Sequence, residues 1–195
     1  MLAEILKGIP VVLGSQSPRR RDLLAKMGVE FEVIVKETDE SFDASQSPIE
    51  IVKHIAVQKM KGFDGSTFQD TLVITADTVV VEADRILGKP RDEADAWAML
   101  RALQGGIHTV LTAVAIRYQG EVRVFVEETQ VTFYPLSDEE IQFYIARHRP
   151  FDKAGAYGIQ EWIGFIGIKS IVGSYENVVG LPTAHLYQEL KKMPL

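Results

Sequence analysis

A run of small and basic residues near the start of the chain, Ser15 to Arg20, has the composition of an anion site. Ser17 suits the N-cap of a helix and Pro18 its first position, so the run predicts a strand, a tight turn and a helix. Backbone N–H groups at a helix start attract anions, and the guanidinium groups of Arg19 and Arg20 favour bidentate contact with phosphate. The run predicts a phosphate site as readily as an ordinary capped helix with solvated arginines.

Asp77 lies between two apolar, strand-like stretches, Thr71–Ala76 and Thr78–Val81. Burying a carboxylate there is costly unless it is paired, hydrogen-bonded or bound to a metal ion. One interpretation is a metal ligand or a general base. The other is a turn aspartate that accepts hydrogen bonds from nearby backbone N–H groups.

Two lysines and an acidic pair could complete such a site. Lys89, in the turn Gly88-Lys89-Pro90, could neutralise charge that develops on a phosphate, although a solvated loop lysine is the simpler interpretation. Asp39 and Glu40 could join Asp77 around magnesium or manganese, which prefer oxygen ligands, or could form a solvated acidic loop. Lys59 could reach the site from a predicted helix or extend into water.

Two glycine-rich stretches in the second half of the chain could approach a flat ligand closely. The first, Ala154–Gln160, ends in an amide whose donor and acceptor groups match the edge of a pyrimidine base. The second, Gly173–Pro182, is predicted to be a loop that leads into the last helix. The alternative for the first stretch is a tight turn with Tyr157 in the core.

The composition limits the classes of protein that are possible. The chain has 195 residues and a formal net charge of −6, and it lacks cysteine, which excludes disulfides, thiolate catalysis and cysteine-bound zinc. It has no long basic stripe, so duplex nucleic acid is a poor partner. No apolar run approaches the roughly 20 residues that span a membrane, and the start of the chain lacks a signal-peptide pattern. We therefore expect a cytoplasmic protein without a membrane partner.

The elements that must position these residues are predicted from hydrophobic patterns and helix caps. Helices alternate with strands in the first half of the chain, and long strands dominate the middle. This order predicts one α/β domain over residues 1–195, with an extended mixed sheet flanked by helices. The predicted strands are Val11–Gly14, Phe31–Val35, Thr71–Ala76, Thr78–Val81, Thr109–Arg117, Val122–Phe133 and an extended region within Gly164–Ile171; the predicted helices are Pro18–Met27, Pro48–Lys61, Asp92–Leu103, Asp138–Arg147 and Pro182–Lys192.

Five motifs follow one another along nearly the whole chain: Ser15–Arg20, Ala76-Asp77-Thr78, Gly88-Lys89-Pro90, Asp152–Tyr157 and Gly173–Pro182. In this order they resemble the Maf family of nucleoside triphosphate pyrophosphatases, also called septum-formation inhibitor proteins. The resemblance implies the α/β fold of Maf proteins and inosine triphosphatases, with a central cleft. It also implies cleavage between the α- and β-phosphates, a divalent cation such as magnesium or manganese, and a homodimer.

The resemblance assigns roles to individual residues. Asp77 is implied to be the proton acceptor that prepares water for attack on the α-phosphorus. Asp77 and Glu40 are implied to hold the metal, and Lys89 to stabilise the pyrophosphate that leaves. The other residues implied to contact the phosphates are Ser17, Arg19, Arg20 and Lys59.

Three positions resemble the subgroup that prefers dTTP and UTP: Arg19, Thr78 and Gln160. The chain departs from many relatives at Glu161-Trp162, where they have a glycine. The resemblance also implies removal of modified nucleotides and a link to cell division arrest. Two alternatives are the same chemistry on modified or purine nucleotides, and a nucleotide-sensing regulator of division that needs no catalysis.

Overall fold

The computed structural model describes residues 2–43 and 45–194. These residues form two compact units. The first unit comprises the described parts of residues 1–77, 112–127 and 180–195, and the second unit comprises residues 78–111 and 128–179. The prediction of one domain and the prediction of a central cleft stay predictions.

The described ranges contain eight α-helices, and none of them is both long and apolar enough to cross a membrane. The helices are α1 Leu2–Ile5, α2 Pro18–Lys26, α3 Pro48–Lys61, α4 Glu93–Leu103, α5 Asp138–His148, α6 Trp162–Gly167, α7 Tyr175–Val179 and α8 Thr183–Leu190. The strands are β1 Val11–Leu13, β2 Glu32–Val33, β3 Leu72–Glu82, β4 Arg85–Leu87, β5 Ile107–Tyr118, β6 Glu121–Phe133 and β7 Ile168–Val172, and short 3₁₀ turns lie at Ser66–Phe68 and Ala154–Ala156.

The strands form one mixed sheet in the order β2-β1-β3-β5-β6-β7, and β4 pairs with β3. Strand β1 is parallel to both β2 and β3, whereas β4 and β7 pair antiparallel to their neighbours. The predicted α/β class with a mixed sheet is therefore confirmed. Strand β1 lies between β2 and β3, so the chain adds β2 on one side of β1 and β3 on the other. The carboxyl ends of parallel strands at such a switch point commonly hold ligands.

Each unit has its own apolar core. In the first unit the largest fully buried side chains are Leu13, Leu24, Ile51, Phe63, Leu72, Ile74 and Ile116. In the second unit they are Leu100, Leu103, Phe133, Ile141 and Tyr144. The alternation of helices and strands in the sequence follows from the need of each element to bury one apolar face.

Three predicted helix starts are confirmed, because each has a serine whose side chain accepts a hydrogen bond from the backbone of the first turn. Ser17 caps α2, and Ser47 and Ser137 form complete capping boxes with glutamates three residues later. Such caps satisfy N–H groups that would otherwise lack partners, at about 1 kcal/mol each. These local signals explain why the sequence predicts the helix starts so closely.

Strand β3 differs from its prediction as two strands separated by a turn at Asp77. It runs without a break from Leu72 to Glu82, and Asp77 lies in its middle. The alternative of a turn aspartate is therefore wrong. The carboxylate is accommodated in the strand because a lysine from α3 pairs with it.

Other boundaries differ for tertiary reasons. The extended region predicted within Gly164–Ile171 begins as helix α6, in which Gly164 packs so closely on Ile159 that any larger side chain would clash with its carbonyl oxygen. The loop predicted at Gly173–Pro182 contains helix α7, whose signal was the capping Ser174. The predicted strand Phe31–Val35 is reduced to the two exposed residues of β2.

Candidate active site

The charged centre of the first unit consists of one lysine and two carboxylates. Lys59 Nζ lies 2.6 Å from Asp77 Oδ1 and 3.3 Å from Glu40 Oε1. The side chains of Lys59 and Asp77 are 18% and 15% exposed, whereas that of Glu40 is 52% exposed. Among the described residues, Lys59 is the one hydrogen-bonding partner of the Asp77 carboxylate, so oxygen lone pairs remain available to water, a cation or a substrate.

The parallel strands explain why these residues meet. Leu13 of β1 is paired with Ile74 of β3 and with Val33 of β2, so the residues that follow these three positions in the chain lie towards the same edge of the sheet. They include Glu40, Asp77 and residues Ser15–Arg20, which we call the serine–arginine turn. The topology thus brings together residues that are distant in the chain, such as Arg20 and Ala76, which are 56 positions apart, in agreement with the switch-point rule.

A buried hydroxyl fixes the helix that supplies Lys59. Thr75 is fully buried in β3, and its Oγ1 donates to the carbonyl oxygen of Ala56 at 2.8 Å. Ala56 lies one turn before Lys59 on α3, so this bond sets the position of the helix beside Asp77. Gly14 packs against Thr75 and Phe63 with no room for a Cβ atom, which holds the start of the following turn against the same strand.

The serine–arginine turn is held together by its own hydrogen bonds. The N–H of Ser17 donates to Ser15 Oγ at 3.2 Å, and the N–H of Arg20 donates to Ser17 Oγ at 3.4 Å. The backbone N–H groups of Ser17 and Arg20, which the sequence predicts as donors to an anion, therefore donate to side chains within the turn. Arg19 is half-buried on the first turn of α2.

Arg20 is buried, and its guanidinium donates hydrogen bonds to the backbone of two other segments of the first unit. Its Nε donates to the carbonyl oxygen of Gly180 at 2.8 Å, and its Nη1 donates to the carbonyl oxygen of Ala76 at 2.8 Å. Burial lowers the pKa of Arg20, and the negative charge of Asp77 opposes this shift. The guanidinium therefore places a positive charge beside the residue that precedes Asp77 in the strand.

The carboxylates around Lys59 have the chemistry of ligands for the metal that the resemblance implies. Magnesium is usually held by one or two carboxylates together with substrate phosphates and water. Asp77 and Glu40 supply two carboxylates that lie within 3.3 Å of one atom, Lys59 Nζ, and this pair of oxygen donors fits the pattern. No group of three or more metal-ligating side chains occurs in the described parts of the chain, so phosphate or water would have to complete the coordination.

The remaining predicted residues belong to the second unit. Thr78 directly follows Asp77 on β3, and its side chain is half-buried. Lys89 and Gln160 are exposed. The N–H of Gly155 donates to the carbonyl oxygen of Gly88 at 3.1 Å, which ties the loop of Lys89 to the loop that leads to Gln160.

The loop around Gln160 contains a charged cluster that the sequence reading did not assign to a site. Lys153 Nζ lies 2.6 Å from Asp152 Oδ1 and 3.0 Å from Glu161 Oε1. The hydroxyl of Tyr144 donates to Glu161 Oε2 and accepts the N–H of Gly158 at 3.0 Å. Lys153 was the available signal, because small residues and a tyrosine follow it in the motif Asp152–Tyr157, and a lysine that is buried among such residues requires carboxylate partners.

Comparison with known proteins agrees with these motifs. A family model described as Maf-like protein matches residues 10–193. A dTTP/UTP pyrophosphatase of Parabacteroides distasonis is 46% identical over 191 residues, which cover 97% of this chain and 99% of that protein. A dTTP/UTP pyrophosphatase of Phocaeicola vulgatus is 45% identical over 193 residues, which cover 98% of this chain and 100% of that protein.

A solved structure supports the fold independently. The structure of the Staphylococcus aureus Ham1 protein superposes with a TM-score of 0.50 at 17% sequence identity, covering 92% of this chain and 99% of that one. At this identity the likeness concerns the fold alone. The match of the family model over almost the entire chain, together with the relatives of similar length, shows that the chain belongs to the Maf family.

Proposed function

We propose that this chain is a nucleoside triphosphate pyrophosphatase that hydrolyses dTTP and UTP to the monophosphate and pyrophosphate. The observation that carries the proposal is the pairing of Asp77 with Lys59, in the middle of a buried strand at the switch point of the sheet. The names of the relatives from Parabacteroides distasonis and Phocaeicola vulgatus support the substrate class.

Asp77 is proposed to accept a proton from the water that attacks the α-phosphorus. General base catalysis needs a carboxylate that is fixed in position and still has lone pairs to offer. Asp77 meets both conditions, because strand β3 holds its backbone and Lys59 engages one of its oxygens. Lys59 orients the carboxylate and adds positive charge near the triphosphate.

The basic residues are proposed to hold and neutralise the phosphates. Ser17 and Arg19 lie at the start of α2, where charge from the helix dipole also favours an anion. Arg20 contributes its charge from a buried position while its hydrogen bonds hold the turn. Lys89 is proposed to stabilise the charge that develops on the pyrophosphate as it leaves.

Asp77 and Glu40 are proposed to hold magnesium or manganese. A bound divalent cation would polarise the phosphate oxygens and offset the negative charge of the triphosphate. The chain's own residues would orient the substrate and remove the proton. Chelation should therefore abolish turnover, and added magnesium or manganese should restore it.

Arg19, Thr78 and Gln160 are proposed to select thymine and uracil. The support is the resemblance to the dTTP/UTP subgroup together with the chemistry of Gln160, whose amide can donate to a carbonyl oxygen and accept from an N–H group. The remaining parts of the proposal are a cytoplasmic location, a homodimer and no nucleic-acid partner. Roles in removing modified nucleotides and in division arrest also stay part of the proposal.

A nucleotide panel tests the proposal. Pyrophosphate release should be measured for dTTP, UTP, dCTP, dATP and GTP, and for modified pyrimidine triphosphates, with magnesium and with manganese. We expect dTTP and UTP to give the highest kcat/KM. A preference for modified or purine nucleotides would overturn the substrate assignment, and a lack of turnover with every nucleotide would favour a regulator that only senses nucleotides.

A further inference from the structure

Gln160 is an exposed residue between two firmly held neighbours. Ile159 is 7% exposed and packs in the core of the second unit. Its carbonyl region is in close contact with Gly164, where any added Cβ atom would overlap the backbone of Ile159. On the other side, the Glu161 side chain pairs with Lys153, and its backbone N–H donates to the carbonyl oxygen of Gly158. The Gln160 side chain therefore extends into solvent from a backbone with little freedom.

Glu161 is held by partners from two other elements. Its two carboxylate oxygens are engaged separately, one by Lys153 Nζ at 3.0 Å and the other by the hydroxyl of Tyr144. Tyr144 lies on α5 and is fully buried, and Lys153 is 8% exposed. Burial and the neighbouring Glu161 charge both raise the pKa of Tyr144, so its hydroxyl keeps the proton that it donates.

The same tyrosine also fixes the residue two positions before Gln160. The N–H of Gly158 donates to the Tyr144 hydroxyl at 3.0 Å, and the N–H of Glu161 donates to the carbonyl oxygen of Gly158 at 3.0 Å. A Cβ atom on Gly158 would lie 2.8 Å from Glu161 Cδ and 3.0 Å from Lys153 Cε, so a larger residue would have to displace the side chains of the ion pair. The backbone on both sides of Gln160 is thus fixed through one hydroxyl.

We propose that Tyr144, Lys153 and Glu161, which we call the clamp, are positioning residues that set the base selectivity of Gln160. The clamp does not touch the substrate. It holds the backbone that carries Gln160, so that the amide meets one hydrogen-bonding pattern. This inference rests on the proposed function, in which Gln160 contacts the base.

The ligand chemistry follows from the amide. Thymine and uracil present an N–H donor between two carbonyl acceptors, whereas cytosine presents an acceptor and an amino donor at the corresponding positions. A fixed amide can satisfy the first pattern and leaves groups unpaired against the second, which is how hydrogen-bonding sites discriminate strongly. A loose backbone moves the amide away from this position, so its contacts with thymine and uracil weaken and the site discriminates less.

Two clamp variants and one matched control test the inference. Tyr144→Phe removes the shared hydroxyl, Glu161→Gln removes the charge that pairs with Lys153, and Tyr134→Phe removes a hydroxyl from a half-exposed tyrosine of the same unit. For each protein, kcat and KM are measured with dTTP, UTP and dCTP. Hydrogen exchange of residues 158–164 and the melting temperature are measured on the same preparations.

We expect both clamp variants to lower the ratio of kcat/KM for dTTP over dCTP by about tenfold, mainly through a higher KM for dTTP. Exchange of the Gly158 amide should accelerate in Tyr144→Phe, and the control should match the unaltered protein in every measurement. An unchanged selectivity ratio in variants that have faster exchange or lower melting temperature would overturn the inference, since the cluster would then be structural only. If Tyr144→Phe does not fold, the selectivity ratio of Glu161→Gln decides whether the inference holds.

A failure of the proposed function would already be seen in the activity of the unaltered protein. In that case the unaltered protein would fail to hydrolyse dTTP and UTP, or would not prefer them to dCTP, before any clamp variant is considered. A preference that is present in the unaltered protein and unchanged in the clamp variants would contradict the inference alone.

Discussion

The two units contain the same charged group, a lysine between two carboxylates, in different surroundings. Lys59 lies 2.6 Å from Asp77 in the first unit, and Lys153 lies 2.6 Å from Asp152 in the second. Each lysine has a second carboxylate at a longer distance, 3.3 Å for Glu40 and 3.0 Å for Glu161. The charges alone therefore do not distinguish a reactive centre from a structural one.

The partners of the carboxylates make the difference. Both oxygens of Glu161 are engaged, one by Lys153 and one by Tyr144. Among the described residues, the Asp77 carboxylate has Lys59 as its one hydrogen-bonding partner. A carboxylate with unused lone pairs can bind water or a cation, whereas a saturated one stabilises the chain around it.

The largest expected effect comes from Asp77→Asn. The amide keeps the shape of the side chain and removes the proposed base, so turnover of dTTP should fall by roughly 100- to 10,000-fold. Nucleotide binding, measured by calorimetry, should stay within a few-fold. The matched change Asp152→Asn in the second unit should cost no more than a few-fold in turnover. Near-normal turnover in Asp77→Asn would refute the assignment of the base.

A pH series tests a buried histidine of the second unit. His108 is 2% exposed, its Nε2 lies 2.8 Å from the Tyr157 hydroxyl, and burial lowers its pKa from 6.5 to about 4, with a smaller opposing effect of Glu82. Since the folded pKa is below the unfolded one, the unfolded chain binds more protons in this window. The stabilising effect is complete above pH 6.5 and is lost as the pH falls towards 4, by about 3 kcal/mol.

Urea unfolding at pH 7 and at pH 4.5 measures this effect. His108→Gln cannot titrate, so its free energy of unfolding should fall less between the two pH values than that of the unaltered protein. Acid destabilisation by carboxylates elsewhere affects both proteins and cancels in the difference. Equal losses in the two proteins would show that His108 does not control the response.

Replacing Lys59 or Lys153 by methionine should affect different properties of the protein, turnover in the first case and stability in the second. Lys59→Met should lower turnover by about 100-fold, because a positive charge beside the base and the phosphates is removed. Lys153→Met should mainly lower the free energy of unfolding, by about 1–2 kcal/mol, because the partly exposed carboxylate of Glu161 loses its buried partner. Turnover assays and urea unfolding on both variants provide the comparison. Identical profiles for the two variants would mean that the clusters do not differ in role.

The smallest expected effect concerns the bond between Thr75 and the carbonyl oxygen of Ala56. Thr75→Val keeps the shape and removes the hydroxyl, so the free energy of unfolding should fall by about 1 kcal/mol. Turnover should fall by a few-fold, because helix α3 no longer holds Lys59 as firmly beside Asp77. Thr132→Val, at a half-buried position of β6, is the control and should stay within about 0.5 kcal/mol. If turnover is unaffected in Thr75→Val, the hydroxyl does not position Lys59.

The sequence predicted much of the fold because the decisive signals are local. Ser17, Ser47 and Ser137 mark helix starts through caps that need only a few neighbouring residues. Helix α6 was missed because its two glycines and branched residues have low helix propensity, and packing of Gly164 on Ile159 overrides that preference. A sequence pattern does not contain such a close approach between segments.

The sequence by itself determined the α/β class, the helix caps, and the types of residue that could bind phosphate or accept a proton. The tertiary structure decided which of those residues meet. It made β3 continuous through Asp77 because Lys59 pairs with the carboxylate, and it tied Arg20 to the carbonyl oxygens of Ala76 and Gly180. It also made the two lysine–carboxylate groups different. Both oxygens of Glu161 are engaged because Tyr144, which is distant in the chain, donates to one of them, whereas Asp77 keeps lone pairs available.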